Sequence, residues 1–376
     1  MNLLQDKLDV LAKKRANLFN WRGQFTPEFV EYMLQNFTKQ GDFVLDPFSG
    51  SGTVLQEAAR LNLQATGIEI NPAAYAMSKF FTFCNLTFTE RHECCEDFEH
   101  KLNTHLANLN GQMVYNENPD YRLAYCNLLE FAAKINSGLS DKRERVLLLN
   151  ILFQSEKDKG LTLRDSIYKS FAYVKNSMLG LPFTEKPINS MLKDSRSAGE
   201  ELENQVDFIF TSPPYINVFN YHQNFRAIVE SFQFDLLKVA HSEFGSNRKN
   251  RSNRFKTVVQ YCIDMELAIR SFWKALKQDA KIILVLGRES NVRSTPFYNG
   301  LMVFEILKQS QGFSDIKMLE RQFTNKFGNN IKEDIIIATK SNNLSDELNG
   351  RSIALKHLEH SLVTTSMLLS KSYSNI

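Results

Sequence analysis

The stretch Phe43-Val44-Leu45-Asp46-Pro47-Phe48-Ser49-Gly50-Ser51-Gly52-Thr53 decides the fold. A short apolar run, Phe43 to Leu45, enters a turn holding two glycines, and an amphipathic pattern from Val54 to Leu61 leaves it. That order predicts a buried strand, a tight turn that glycine backbones permit, and a helix. Free amides at the helix start favour an anionic ligand group. No third glycine follows at the spacing of the dinucleotide fingerprint, so the turn is of another kind.

Working outward, further short apolar runs read as strands: Ala65 to Ile70, Val206 to Phe210 and Lys281 to Leu286, with Ser314 to Leu319 and Asp334 to Thr339 as a closing pair. Helical patterns such as Met265 to Leu276 separate them. This alternation predicts an α/β fold, a doubly wound and mostly parallel sheet. The second strand ends in Gly67-Ile68-Glu69-Ile70-Asn71-Pro72, which puts Glu69 at the sheet's carboxyl edge. An acidic side chain there can accept both hydroxyl hydrogens of a ribose. Between about 81 and 187 strand signals lapse, and so long a stretch inside a compact sheet reads as a helical insertion. The expected division is therefore 1–80 with 188–340 as one domain, 81–187 as an insertion, and 341–376 as a tail with a helix near Ile353 to Leu369.

The composition is that of an ordinary globular protein: 43% hydrophobic and 23% charged in 376 residues. Formal charge is only +3, so any contact with a polyanion has to come from locally concentrated charge. The five cysteines form no disulfide-like framework, which suits a reducing cytoplasm. The charged start (Asp6, Lys7, Asp9, Lys13, Lys14, Arg15) has no apolar signal core. No stretch nears the roughly 18 apolar residues of a membrane span, so a soluble cytoplasmic protein without a membrane partner is expected. In Arg91-His92-Glu93-Cys94-Cys95-Glu96 the adjacent cysteines lack metal-ligand spacing, and no metal is expected.

Thr211-Ser212-Pro213-Pro214-Tyr215 follows the strand Val206 to Phe210 directly. Two consecutive prolines cannot continue a sheet, so the chain leaves in a stiff extended turn. Ser212 offers a hydroxyl, the prolines leave a nearby carbonyl without a competing amide donor, and Tyr215 offers an aromatic face.

These segments resemble the S-adenosylmethionine-dependent amino-methyltransferases of DNA. Phe48-Ser49-Gly50-Ser51-Gly52 is similar to their Phe-x-Gly-x-Gly motif, and Thr-Ser-Pro-Pro-Tyr resembles their catalytic motif in its cytosine-N4 form. The resemblance implies S-adenosylmethionine as cofactor, with the turn from Asp46 through Phe48, Gly50 and Gly52 to Thr53 on its methionine part and Glu69 on its ribose. Gln24-Phe25-Thr26-Pro27-Glu28 resembles a further motif, which implies Thr26 and Pro27 near the cofactor carboxylate. The same residues also make a good helix start, with Thr26 as cap and Pro27 at the first position. Asn189 to Arg196 resembles the motif in which Asp194 would accept from the cofactor's adenine amine. Gly287-Arg288-Glu289-Ser290 resembles a segment beside the target-base pocket. The cofactor motifs come first here, whereas the commonest cytosine-N4 arrangement begins with Ser-Pro-Pro.

The implied reaction explains the pentapeptide. An exocyclic amine is a poor nucleophile because its lone pair delocalises into the ring. Two acceptors holding its hydrogens turn that pair towards the methyl carbon, and displacement then depends on positioning a flipped-out base. A carbon-5 methyltransferase would need a cysteine after proline, and no Pro-Cys pair exists. For double-stranded DNA as partner, Arg248, Lys249, Arg251, Arg254 and Lys256 lie close together with Ser and Asn between them, facing one acid, Glu243. That composition suits phosphate contact, as well as a solvated charge run. The resemblance implies the modification enzyme of a prokaryotic restriction system, with a separate endonuclease as partner. Adenine N6, an RNA base, a protein glutamine amide, and a catalytically silent DNA-binding module remain open at this stage.

Overall fold

In the computed structural model the described residues are 3–11, 13–107, 121–157, 162–216, 221–244, 253–325, 328–341 and 343–373. Seven strands form one sheet: β1 (Phe43–Asp46), β2 (Gln64–Glu69), β3 (Ile188–Leu192), β4 (Val206–Thr211), β5 (Leu276–Gly287), β8 (Phe313–Thr324) and β9 (Asn330–Lys340). A separate hairpin pairs β6 (Glu289–Val292) with β7 (Thr295–Tyr298). The sheet order is β3-β2-β1-β4-β5-β9-β8. Strands β1 to β5 run parallel, and β9 is antiparallel to both β5 and β8. The expected α/β class, a doubly wound and mostly parallel sheet, is thus what the chain adopts.

Because side chains alternate across a strand, each central strand feeds two cores. Phe208, Phe210, Ile283 and Val285 point to one face, where they meet the helices Pro27–Phe37, Thr53–Arg60 and Pro72–Phe80. Ile209, Ile282, Leu284 and Leu286 point to the other, against Lys256–Ala275 and Asn299–Ser310. Strands buried on both faces read in sequence as continuous apolar runs, which is why they were visible there.

Residues 81–187 contribute helices at Phe88–Ala107, Tyr121–Ser137, Lys142–Ser155 and Leu163–Leu179, and no strand among the described residues. These helices share the first core instead of forming one of their own. The buried Asn150 amide donates to the Ala76 carbonyl (2.9 Å), joining them to the helix after β2. Arg91 is 2% exposed, and burial lowers its pKa. It donates from Nε to the Leu86 carbonyl and from Nη1 to those of Met178 and Leu181 (3.0, 3.0 and 2.6 Å). Its guanidinium therefore ties the start of the first of these helices to the end of the last.

Replacing Arg91 by Met keeps the volume but leaves three carbonyls without their donor. Hydrogen bonds from charged groups are worth about 1.5–3 kcal/mol each way of counting, so Arg91→Met should lose at least about 1.5 kcal/mol in urea denaturation. An unchanged midpoint would show that the helices are held without it.

Candidate active site

The carboxyl ends of β1, β2, β3 and β4 open on one cleft enclosing about 990 Å³ of empty space, part of it continuous with solvent. The glycine turn forms its floor for two distinct reasons. Gly50 has φ +52°, and its amide donates to Glu69 Oε2 (2.8 Å). Gly52 has φ +91°, and its Cβ would lie 2.7 Å from the Phe81 ring, so it serves helix packing and does not face the cleft. Both conformations favour glycine.

Glu69 accepts from Gly50 through one oxygen and from the Asn71 amide through the other (2.8 Å each). Each oxygen keeps a second lone pair for a ligand hydroxyl. Burial pushes Glu69 up to about 7, against the pull of those amides, with Asp46 and Glu243 adding repulsion. Asp46 is likewise pushed up to about 7 by burial, although Thr211 Oγ1 (2.5 Å) and the Phe48 amide (3.2 Å) donate to it. Asp194 lines the cleft from the end of β3, where Arg196 grips it and also reaches Asp264 (2.6 Å). Four acids (Asp46, Glu69, Asp194 and Glu243) face one base, Arg22, among the lining residues. Such a wall offers carboxyl oxygens to the hydroxyls of a ligand. Phe48, Val54, Ile68, Ile70 and Phe244 supply apolar surface for a planar base.

The proline turn meets the same cleft. Ser212, Pro213, Pro214 and Tyr215 all line it. The Tyr215 ring packs against Gly287, where a Cβ would come within 2.7 Å of it, and its hydroxyl donates to Glu333 Oε1 (3.0 Å). Glu333 is held in turn by Arg321 Nε (2.7 Å), whose guanidinium sits 3.8 Å from the centre of the Phe29 ring. Burial, reinforced by Glu333, raises the Tyr215 phenol well above its usual range, so it stays a donor. Trp21 and Tyr221 stack at 5.8 Å and close the opposite wall.

Placement takes Thr26, Pro27 and Thr211, like Gly52, away from the cleft lining expected of them. The Thr26 hydroxyl makes no capping bond and is buried without a partner among the described residues. It lines a neighbouring cavity, while Gln24 and Phe25 take the cleft position expected of Thr26 and Pro27. Gln24 does so because its side chain accepts from Ser51 Oγ at 2.7 Å. Thr211 is fully buried behind the cleft and joins β4 to Asp46. Of the basic run, Arg254 and Lys256 sit at the start of the helix Lys256–Ala275, whereas Arg248, Lys249 and Arg251 lie outside the described residues. Trp21, Glu333 and Glu243 carried no motif and escaped the sequence reading as site residues.

Residues 7–80, which hold the glycine turn and Glu69, match the N6/N4 methyltransferase family described as DNA methylase. The type II methyltransferase M.BsoBI of Geobacillus stearothermophilus is 24% identical over 288 residues, 61% of this chain and 55% of that one. M.MjaII of Methanocaldococcus jannaschii, another type II methyltransferase, is 40% identical over 69 residues, 17% of this chain and 13% of that one. This chain therefore spans about half of the former and a small part of the latter. Among solved structures, an S-adenosylmethionine-dependent methyltransferase of Methanosarcina mazei aligns over 82% of this chain and 96% of its own, at 14% identity and a TM-score of 0.34. The sequence matches support the DNA amino-methyltransferase family and do not separate its N4 from its N6 members.

An acid whose pKa rises on folding stabilises the fold fully below its unfolded value, near 4, and that stability is lost as pH rises through 7. Asp46, Glu69 and Glu57, also raised to about 7, titrate in that window. The thermal midpoint of the ligand-free protein should therefore fall between pH 5.5 and 8, and Glu69→Gln should flatten the fall without removing it. A midpoint that rises over this range would contradict the placement of these carboxylates.

Proposed function

We propose that this chain transfers a methyl group from S-adenosylmethionine to the exocyclic N4 of cytosine in duplex DNA. One observation carries the reading: the glycine turn, Glu69 and the turn Ser212 to Tyr215 line a single cleft. Its carboxyl oxygens suit the hydroxyls of a ribose. When bound, the cofactor supplies an electrophilic methyl group. Glu69 would take the ribose, Asp194 the adenine amine, and Asp46, Phe48, Gly50 and Thr53, the members of the turn that line the cleft, the methionine part.

The chain's own residues then position the base. Tyr215 is immobilised by Gly287 against its ring and Glu333 at its hydroxyl, and a flipped-out cytosine stacks on it. Ser212 Oγ and a main-chain carbonyl of the proline turn accept the two amine hydrogens, which frees the nitrogen lone pair for in-line attack. As the nitrogen–carbon bond forms the carbon–sulfur bond would break, leaving a neutral thioether, and the now acidic amine would lose one hydrogen past its acceptor to solvent, so no buried acid–base relay is needed. Ser212, a small neutral group, favours cytosine over adenine N6, for which the same motif more often carries Asp or Asn. The run from Arg248 to Lys256 contributes phosphate contacts, and residues 81–187 form the part that reads the site. The biological setting is the modification arm of a restriction system, paired with a separate endonuclease.

Two sets of variants test this. Ser212→Ala and Tyr215→Ala should lower turnover by at least about a hundredfold while cofactor affinity stays within about threefold, because their contacts are with the reacting base. Near-normal turnover with saturating DNA would remove both from the pocket. Glu69→Ala should instead weaken cofactor binding by about 1.5–3 kcal/mol in calorimetry, the value of a charge-assisted hydrogen bond. Nucleosides digested from the methylated DNA should contain N4-methylcytosine; N6-methyladenine alone would reassign the target atom.

A further inference from the structure

A second cavity lies apart from the catalytic cleft and shares no lining residue with it. It encloses about 1110 Å³ of empty space, part of it continuous with solvent. The helix after β2, the end of β3, the insertion helices and the segment following the proline turn all contribute to it. Its walls are largely apolar and aromatic, with Tyr75, Phe83, Leu149, Leu192, Phe232 and Phe234. Four cations also line it, Lys79, Lys142, Arg143 and Arg145, and no acid is among the lining residues. In a chain whose formal charge is only +3, that is a strong local excess.

The acids nearest in sequence do not neutralise it. Asp141 pairs with Arg143 (3.1 Å) and Glu144 with Lys101 (2.5 Å), which leaves Lys79, Lys142 and Arg145 outside any ion pair among the described residues. Lys142, Arg143 and Arg145 are exposed and occupy the first turn of the helix Lys142–Ser155, where the helix dipole opposes positive charge. Lys79 Nζ donates to Asn189 Oδ1 and to the Ser190 carbonyl (3.3 Å each) and keeps a third hydrogen. Burial lowers its pKa, and the charge of Lys142 lowers it further. Like charges gathered at an apolar space cost free energy until an anion enters it. The cations suit a phosphate, and the aromatic walls suit a planar heterocycle.

We propose that this cavity binds a nucleoside phosphate, with its base among the rings and its phosphate on Lys79, Lys142 and Arg145. The occupant bridges the insertion and the sheet, because Lys142 and Arg145 come from the one and Lys79 and Leu192 from the other. A free nucleotide and one unit of a DNA strand carry the same groups, and binding separates them.

Calorimetry on the full chain with deoxyadenosine monophosphate, deoxyadenosine and inorganic phosphate tests the site, with duplex DNA titrated in parallel. The monophosphate should bind at least about tenfold more tightly than either fragment. Lys142→Glu with Arg145→Glu puts acids where the helix start favours them, so the fold is kept, and should weaken the monophosphate at least about tenfold. Phe232→Ala should weaken it at least about fivefold through the lost ring. If duplex DNA binds and the monophosphate does not, and both variants weaken the DNA by those factors, the nucleotide belongs to a DNA strand. Inorganic phosphate bound as tightly as the monophosphate, or an effect of the charge reversal without one of Phe232→Ala, overturns the assignment of the base. Binding that neither variant changes, or no binding of nucleotide and DNA alike, overturns the inference.

Discussion

The bond from Thr211 Oγ1 to Asp46 Oδ1 joins the ends of two neighbouring parallel strands at the point where both leave the sheet. Thr211 also accepts from the Phe48 amide, so one buried hydroxyl fixes the exit of β1 and the exit of β4 together. The turn after β1 carries the glycines, and the turn after β4 carries the prolines. Everything proposed for the cleft depends on those two turns keeping their distance. A hydroxyl between two backbones does this with little side-chain freedom to lose. The arrangement also explains why Asp46 sits so deep. Its carboxyl is part of the sheet's edge, and burial there costs it its ordinary acidity.

The far wall is built by a longer chain of contacts. Tyr215 is held by Glu333, Glu333 by Arg321, and Arg321 packs on Phe29. These residues come from the proline turn, the two antiparallel strands and the helix Pro27–Phe37. Asn299 adds a second brace: it donates to the Gly287 carbonyl (2.8 Å) and accepts from the Ile216 amide (3.3 Å). The antiparallel strands at the end of the sheet thus do more than cover an edge. They supply the charged groups that hold the tyrosine ring in place, with Gly287 leaving room for it.

What could be read in the sequence was local. The glycine turn, Glu69 and Thr211 to Tyr215 each follow a buried strand directly, so spacing alone puts them at the carboxyl edge of the sheet. The residues that escaped depend on distant pairing. Glu333 reaches Tyr215 only through the register of β9 on β5. Trp21 reaches the cleft because the segment before the first long helix folds back, with Asn17 bound to the Phe25 carbonyl (2.8 Å) and Arg15 to Glu57 (2.6 Å). Glu243 was hidden by its basic neighbours, since a charge run gives no sign of which member turns inward. Thr26 shows the reverse. Its motif was visible, but the hydroxyl faces a different cavity because Gln24 is tied to Ser51 and occupies the nearer position.

The central claim is that a cofactor pocket and a base pocket meet in one cleft and that the base belongs to DNA. Incubating the protein with methyl-labelled S-adenosylmethionine and, in parallel, duplex DNA, transfer RNA and a mixed protein substrate tests it most directly. The account predicts label in the DNA alone, recovered on a base amine. Label in RNA or protein but not in DNA would contradict it, as would the absence of transfer to all three by a protein that binds the cofactor.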